Sequence, residues 1–136
     1  MSYIEGFVAA VPRANKDAYR QHAEHALPYF KKLGATRMVE TWGDDVPDGK
    51  VTDFKRSVKA TPEEDIIFSW VEYPDKATRD RANQTMQNDP AMEDSMKEMP
   101  FDGKRMIFGG FQPVNDSGAS TRPGYVDGCL IPVPAG

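Results

Sequence analysis

Apolar positions along this chain recur at two spacings, every second residue and every third or fourth, and the switches between them lay out the fold. Tyr3 to Val11 is a short run, aromatic and β-branched at its ends, that meets Pro12 and predicts a first strand. Asn15 stands where a helix N-cap belongs. Tyr19, Ala23, Ala26, Phe30 and Leu33 follow at spacings of four and three, one stripe of a helix, and Gly34 stops it. Pro28 breaks a backbone hydrogen bond inside that helix. It lies opposite the apolar stripe, however, where water serves the freed carbonyl and the kink bends the helix around its core.

Thr36 to Gly43 alternates around Met38, Glu40 and Trp42 and predicts a second strand. Ile66 to Tyr73 is the strongest strand in the chain, ended by Pro74. Asp75 caps a second helix reaching to about Asn88, whose buried face of Ala82 and Met86 beside Thr78 and Thr85 is thin. Asp89-Pro90 starts a shorter helix as cap and first-turn proline, carrying Met92, Met96 and Met99. Pro100 closes it, Asp102-Gly103 turns, and Arg105 to Phe111 is the last strand. The order strand, helix, strand, strand, helix, strand is the ferredoxin-like βαββαβ pattern, an α+β fold with an antiparallel sheet over residues 1–112.

Two segments exceed that pattern. The connection from Asp44 to Asp65 is too long for an ordinary hairpin, and in it Thr52 or Asp53 can cap a short helix with Phe54 and Val58 on one side. Residues 113–136 are rich in Pro, Gly and Ser and read as an extension, but the segment ends in the apolar run Cys129 to Val133. Such an end is expected to dock in a groove on its own chain or a partner's.

A length of 136 residues suits one such domain with one core. The net charge of −4, with no long block of like charge, speaks against nucleic-acid or anionic-membrane partners. The single cysteine, Cys129, cannot form an internal disulfide, and the first residues lack the basic and apolar regions of a signal peptide. The cytoplasm is the expected location.

Among chemistry-bearing residues, Glu5, Glu40 and Glu72 sit in strands at alternate positions with aromatics, Trp42 and Trp70 among them. A carboxylate so placed has a raised pKa and can act as a general acid or base. The plainer reading ties these glutamates to Arg37 or Arg105, or leaves them at the rim. Lys55 and Arg56 can attract an anionic ligand to the mouth of a cleft, or neutralise Glu40, or lie on a solvated face. His22 and His25 are three apart on the first helix and could share a metal, but no third ligand stands with them, so no metal is expected. No motif calls for a cofactor. Gly109 and Gly110 inside a strand mark a bulge or a close approach.

Four stretches carry a resemblance. Tyr-Ile-Glu-Gly-Phe-Val-Ala-Ala-Val-Pro from Tyr3, Val-Pro-Asp-Gly-Lys-Val-Thr-Asp-Phe from Val46, Phe-Ser-Trp-Val-Glu-Tyr-Pro from Phe68 and Met-Pro-Phe-Asp-Gly-Lys-Arg-Met-Ile-Phe-Gly-Gly-Phe from Met99 resemble the YbaA-like family of bacterial proteins. The resemblance covers about residues 2–112, and the tail departs from it. It implies a homodimer in which two ferredoxin-like sheets face each other as a dimeric α/β barrel. It implies no reaction, so no catalytic residue carries over. Two readings of function follow. One is an enzyme acting on a small apolar or aromatic molecule, with Glu40 or Glu72 in acid/base roles and Trp42, Trp70, Lys55, Arg56 and His22 around the ligand. The other is a non-catalytic small-molecule-binding or regulatory module. The expected cavity lies between the bare face of the sheet and the Asp44–Asp65 connection, with Glu40 and Trp42 in its lining.

Overall fold

Two ten-residue strands, Tyr3–Pro12 (β1) and Glu64–Tyr73 (β3), pair antiparallel along their whole length, from Tyr3 opposite Tyr73 to Pro12 opposite Glu64. Arg37–Trp42 (β2) pairs with the outer edge of β3, and Ile107–Phe111 (β4) with the outer edge of β1. The order β2-β3-β1-β4, antiparallel throughout, is the ferredoxin-like sheet that the sequence predicts. The computed structural model describes residues 2–118, 122 and 124–136; the side chains of Glu93 and Met96 lie outside the described set.

The helices Lys16–Lys32 (α1) and Lys76–Gln87 (α3) cover one face, where Phe30 and Leu33 of α1 and Ala82 of α3 meet Val71 and Tyr73. Asp75 caps α3 by accepting from the Thr78 amide at 2.7 Å. Asp89 accepts from the Ala91 amide at 3.0 Å and starts Pro90–Lys97 (α4), with the proline in the first turn. Pro28 is exposed, as its place opposite the stripe requires. Gly34 ends α1 at φ +107°, and a Cβ there would also collide with the Thr78 methyl, so two independent reasons fix a glycine.

The structure differs from the sequence reading in three local respects. Asn15 precedes α1, but its side chain makes no capping bond; Nδ2 donates to the Pro100 carbonyl at 2.8 Å, tying the start of α1 to the approach to β4. Arg105 is not in the last strand, because Asp102 accepts from the Lys104 amide at 3.0 Å and holds Gly103–Arg105 in a 3₁₀ turn. Finally, the face opposite the helices is not bare along its length. Asp53 accepts from the Arg56 amide at 2.7 Å and caps the short helix Phe54–Ser57 (α2), which turns Phe54 and Val58 inward. Val58 is 1% exposed against Val8, Ala10 and Ile66. That face stays open toward β4, where Ile107 and Phe111 are 38% and 54% exposed.

Among the described residues, the tail meets its own chain at Tyr125 and Gly128. The Tyr125 hydroxyl donates to Asp44 at 2.8 Å, and Gly128 lies flat on the Phe68 ring, where a Cβ would come within 3.0 Å. At its apolar end Cys129 and Leu130 border a large cavity over the sheet, while Leu130, Ile131 and Val133 are all more than half exposed.

Candidate acid/base site between α1 and β2

Side chains alternate across a strand, so Glu40 and Trp42 share a face of β2 as the sequence requires. Register decides which face. Glu40 stands opposite Ser69 and Trp42 opposite Ile67, and Ile67 belongs to the core under α1. Both residues therefore lie on the helix side. Their side chains are thus roofed by α1, and both residues also belong to the lining of the large cavity beneath the Asp44–Asp65 connection, where the sequence reading expects them.

Tyr19 of α1 is the group that reaches down to them. Only 8% exposed, its ring is wedged between Trp42, edge-on at 5.9 Å, and Phe101 at 5.8 Å. The hydroxyl donates to Glu40 Oε2, with the buried Ser69 alongside as a second partner of the carboxyl. Glu40 as a residue remains open at the sheet edge, whereas its carboxyl is turned inward to these donors. Burial raises its pKa above the ordinary 4.5, and the hydrogen bonds from Tyr19 and Ser69 oppose that rise without cancelling it. Burial likewise pushes the Tyr19 phenol far up, and the Glu40 charge adds to the effect.

This pair forms the floor of a cleft of about 510 Å³ between α1 and the β2 edge. Trp42, Leu27 and Met38 supply apolar walls, and Lys16, Arg20 and Arg122 bring positive charge to it. The Lys16 ammonium rests over the Trp42 ring, 5.6 Å from its centre. Arg20 is held by Glu24 of the same helix at 2.8 Å. The volume is that of an ordinary small-molecule site; Asp17 and Glu24 line it too and offset the positive charge, and a perturbed carboxyl lies at its base.

The other sequence candidates are placed elsewhere. Glu72 and Trp70 are on the opposite face from Glu40. The Trp70 indole donates to Glu72 at 2.9 Å, and Arg37, its cross-strand neighbour, pairs with it at 3.3 Å. Glu72 is thus held as an ion pair, as the plainer reading has it. Lys55 and Arg56 do not reach Glu40. Lys55 bridges to Asp48 at 3.1 Å, while Arg56 binds Asp53 at 2.9 Å and the carbonyls of Gly49 and Val51, so both fasten the connection to itself. His22 is half-buried on α1 outside the cleft, its pKa lowered by burial and then by His25. Among the described residues, no three His, Cys, Asp or Glu side chains gather as a metal ion would need.

Some functional partners escape the sequence. Tyr19 reads there only as a member of the apolar stripe; the available signal is that a buried tyrosine needs a hydroxyl partner, and a strand glutamate can supply it. Glu5 reads there as a free or Arg37/Arg105-bound carboxylate, but it is 4% exposed beside Arg79 of α3, at 3.3 Å. Arg79 also donates to the Tyr3 hydroxyl at 2.8 Å and lies over that ring. Gly110 stands opposite Glu5, and a Cβ there would strike Arg79 and Tyr3, which accounts for the second glycine of the pair in β4.

Residues 2–103 match the family described as "Protein of unknown function (DUF1428)". The uncharacterized protein YbaA of Escherichia coli K12 is 58% identical over 116 residues, which is 85% of this chain and 99% of that protein. A NIPSNAP-like domain protein from Burkholderia xenovorans aligns over 87% of this chain and 90% of its own, at 13% identity and a TM-score of 0.49. A dimeric ferredoxin-like protein from an uncultured marine organism aligns over 81% and 91%, at 12% identity and a TM-score of 0.44.

Proposed function

We propose, for a chain that belongs to the family described as Protein of unknown function (DUF1428), that the α1–β2 cleft binds a small, partly apolar or aromatic molecule and that Glu40 exchanges a proton with it. The observation that carries this reading is the Glu40 carboxyl itself. It lies at the base of a cleft, paired to a neutral phenol rather than to a cation, with a pKa raised toward the range useful for acid/base work. Trp42 offers a flat wall beside it. Glu72, held by Arg37, is no longer a candidate for that role.

The test is an NMR titration of the Glu40 carboxyl. It is expected to titrate above 4.5 in the wild type. In Tyr19→Phe it should move higher still, because the hydroxyl bond favours the charged form and its loss leaves burial less opposed. A value at or below 4.5 would remove the acid/base reading.

A non-catalytic binding module remains the second reading, favoured by the two hydrogen bonds that Glu40 accepts, an arrangement a purely structural carboxylate also adopts. Native mass spectrometry separates the two: a module returns its ligand unchanged, an enzyme converts it.

The protein works as a homodimer through the face opposite the helices, in the manner of a dimeric α/β barrel, and in the cytoplasm, where the lone thiol Cys129 is tolerated. Exposed Ile107 and Phe111 on that face support the pairing. Light scattering is expected to give twice the chain mass of 15.2 kDa; a single chain mass at micromolar concentration would exclude the barrel.

A further inference from the structure

The sheet face opposite the long helices is not empty at its centre. Phe68 belongs to β3, an inner strand of the order β2-β3-β1-β4, and stands opposite Val8 of β1 and Thr41 of β2. It packs with Val8 into the core under α2, which places it on that face. Ile107 stands opposite Val8, and Trp70 is two residues from Phe68, so both belong to the same face. Gly128 of the tail lies directly over the Phe68 ring. A Cβ built there would come within 3.0, 3.1 and 3.2 Å of Cζ, Cε2 and Cε1. Near-equal distances to three adjacent ring atoms put the glycine above the flat side of the ring and not at its rim.

That seat leaves no room for a second sheet in the same place. Two sheets packed face to face stand about 10 Å apart, a gap that their own side chains fill. A backbone lying against Phe68 takes up that gap, so the tail has to leave before another sheet can cover β3. The hold on the tail is slight. Tyr125 is 71% exposed and gives one hydrogen bond to Asp44 at 2.8 Å, and from there to Gly136 the chain forms no helix or strand. A segment held in this way opens far more easily than the sheet beneath it. Ile107 and Phe111 stay exposed with the tail in place, and a second copy of the chain would cover them.

Resting on the homodimer reading, we propose that residues 125–130 are an autoinhibitory strap on the pairing face, displaced when a second copy binds there. Docked, the strap keeps the chain single; released, it bares Phe68 for the partner. Self-association is then set by the tail's own contacts as well as by those between the sheets. A dimer displaces two straps, so any weakening of one strap is squared in the dissociation constant.

The test is the dissociation constant of the full-length dimer, measured by sedimentation over a dilution series for wild type, Tyr125→Phe and Gly128→Val. Tyr125→Phe removes the hydrogen bond to Asp44. Loosening of about threefold per chain, the worth of one exposed hydrogen bond, tightens the dimer about tenfold. Gly128→Val sets a branched side chain against the Phe68 ring and should act in the same direction. A second measurement follows the Gly128 α-protons by NMR. In dilute wild type the Phe68 ring shifts them upfield, and raising the concentration should return them to the position of an unstructured glycine. Unchanged constants in both variants would overturn the strap and leave the homodimer standing. So would a weaker dimer, which would make the tail part of the interface, or an upfield shift retained in the dimer. A single chain mass for all three proteins at every concentration would exclude the homodimer, and the strap with it.

Discussion

Arg105→Ala is expected to lower the free energy of unfolding by about 3–5 kcal/mol at neutral pH, because it strands a carboxylate that has little access to water. Nη1 and Nη2 of Arg105 bind Oε1 and Oε2 of Glu64 at 2.8 and 2.7 Å, a two-pronged pairing in which the Glu64 side chain is only 6% exposed. The same guanidinium donates to the Lys59 carbonyl at 2.8 Å and to Asp102 at 3.0 Å. It therefore joins the end of the long connection, the start of β3 and the turn before β4. Lys59, a non-glycine residue at φ +52°, loses a tether of its strained backbone in the same step. The pH dependence follows from Glu64, whose pKa the Arg105 bonds hold down at about 2 against an ordinary 4.5. A depressed carboxylate contributes stability that is complete above 4.5 and fades as pH falls toward 2. Urea melts should show the variant and wild type converging through that window. A difference that does not shrink on acidification would mean that Arg105 acts through packing rather than through Glu64.

Strand order, the four-residue helix at Phe54 and the stop at Gly34 were legible in the sequence because each rests on local chemistry: alternation, an aspartate cap, a residue free to adopt positive φ. The placement of the site was legible only in part. That Glu40 and Trp42 share a face follows from alternation, but which face is a matter of register against β3, and nothing near Glu40 in sequence specifies it. The roof over it comes from Tyr19, twenty-one residues away, whose periodicity says that it faces the sheet but not which carboxyl it meets. Lys55 and Arg56 misled for a related reason. A basic cluster after a long loop suggests a cleft, yet Asp48 and Asp53 lie within the same loop and absorb both charges. Short-range partners win such contests because closing a small loop costs less entropy than reaching across the fold.

The buried pair under α3 should respond to acid in a different window from Glu64, and Arg79→Met exposes it. Glu5 is 4% exposed, and its Oε2 and the Arg79 Nε face each other at 3.3 Å with neither completing a hydrogen bond. Burial raises the Glu5 pKa above 4.5 even with Arg79 present, whose charge works against the rise. Methionine keeps much of the side chain's bulk but removes the cation, so Glu5 must either stay charged without it or take up a proton. The expected loss is about 3 kcal/mol at neutral pH. A carboxyl whose folded pKa is raised contributes stability that is fully present below 4.5 and lost as pH rises through the folded value. Acidification toward 4.5 should therefore recover most of the loss in Arg79→Met, at a pH where the Arg105→Ala deficit is still nearly complete. Gly110→Ala displaces the same guanidinium from Tyr3 and should act in the same direction, by about 1–3 kcal/mol. Adding Glu5→Gln to Arg79→Met removes the buried charge, and a double variant no more stable at neutral pH than Arg79→Met alone would show that Arg79 supports α3 by its stacking on Tyr3 and not by its charge.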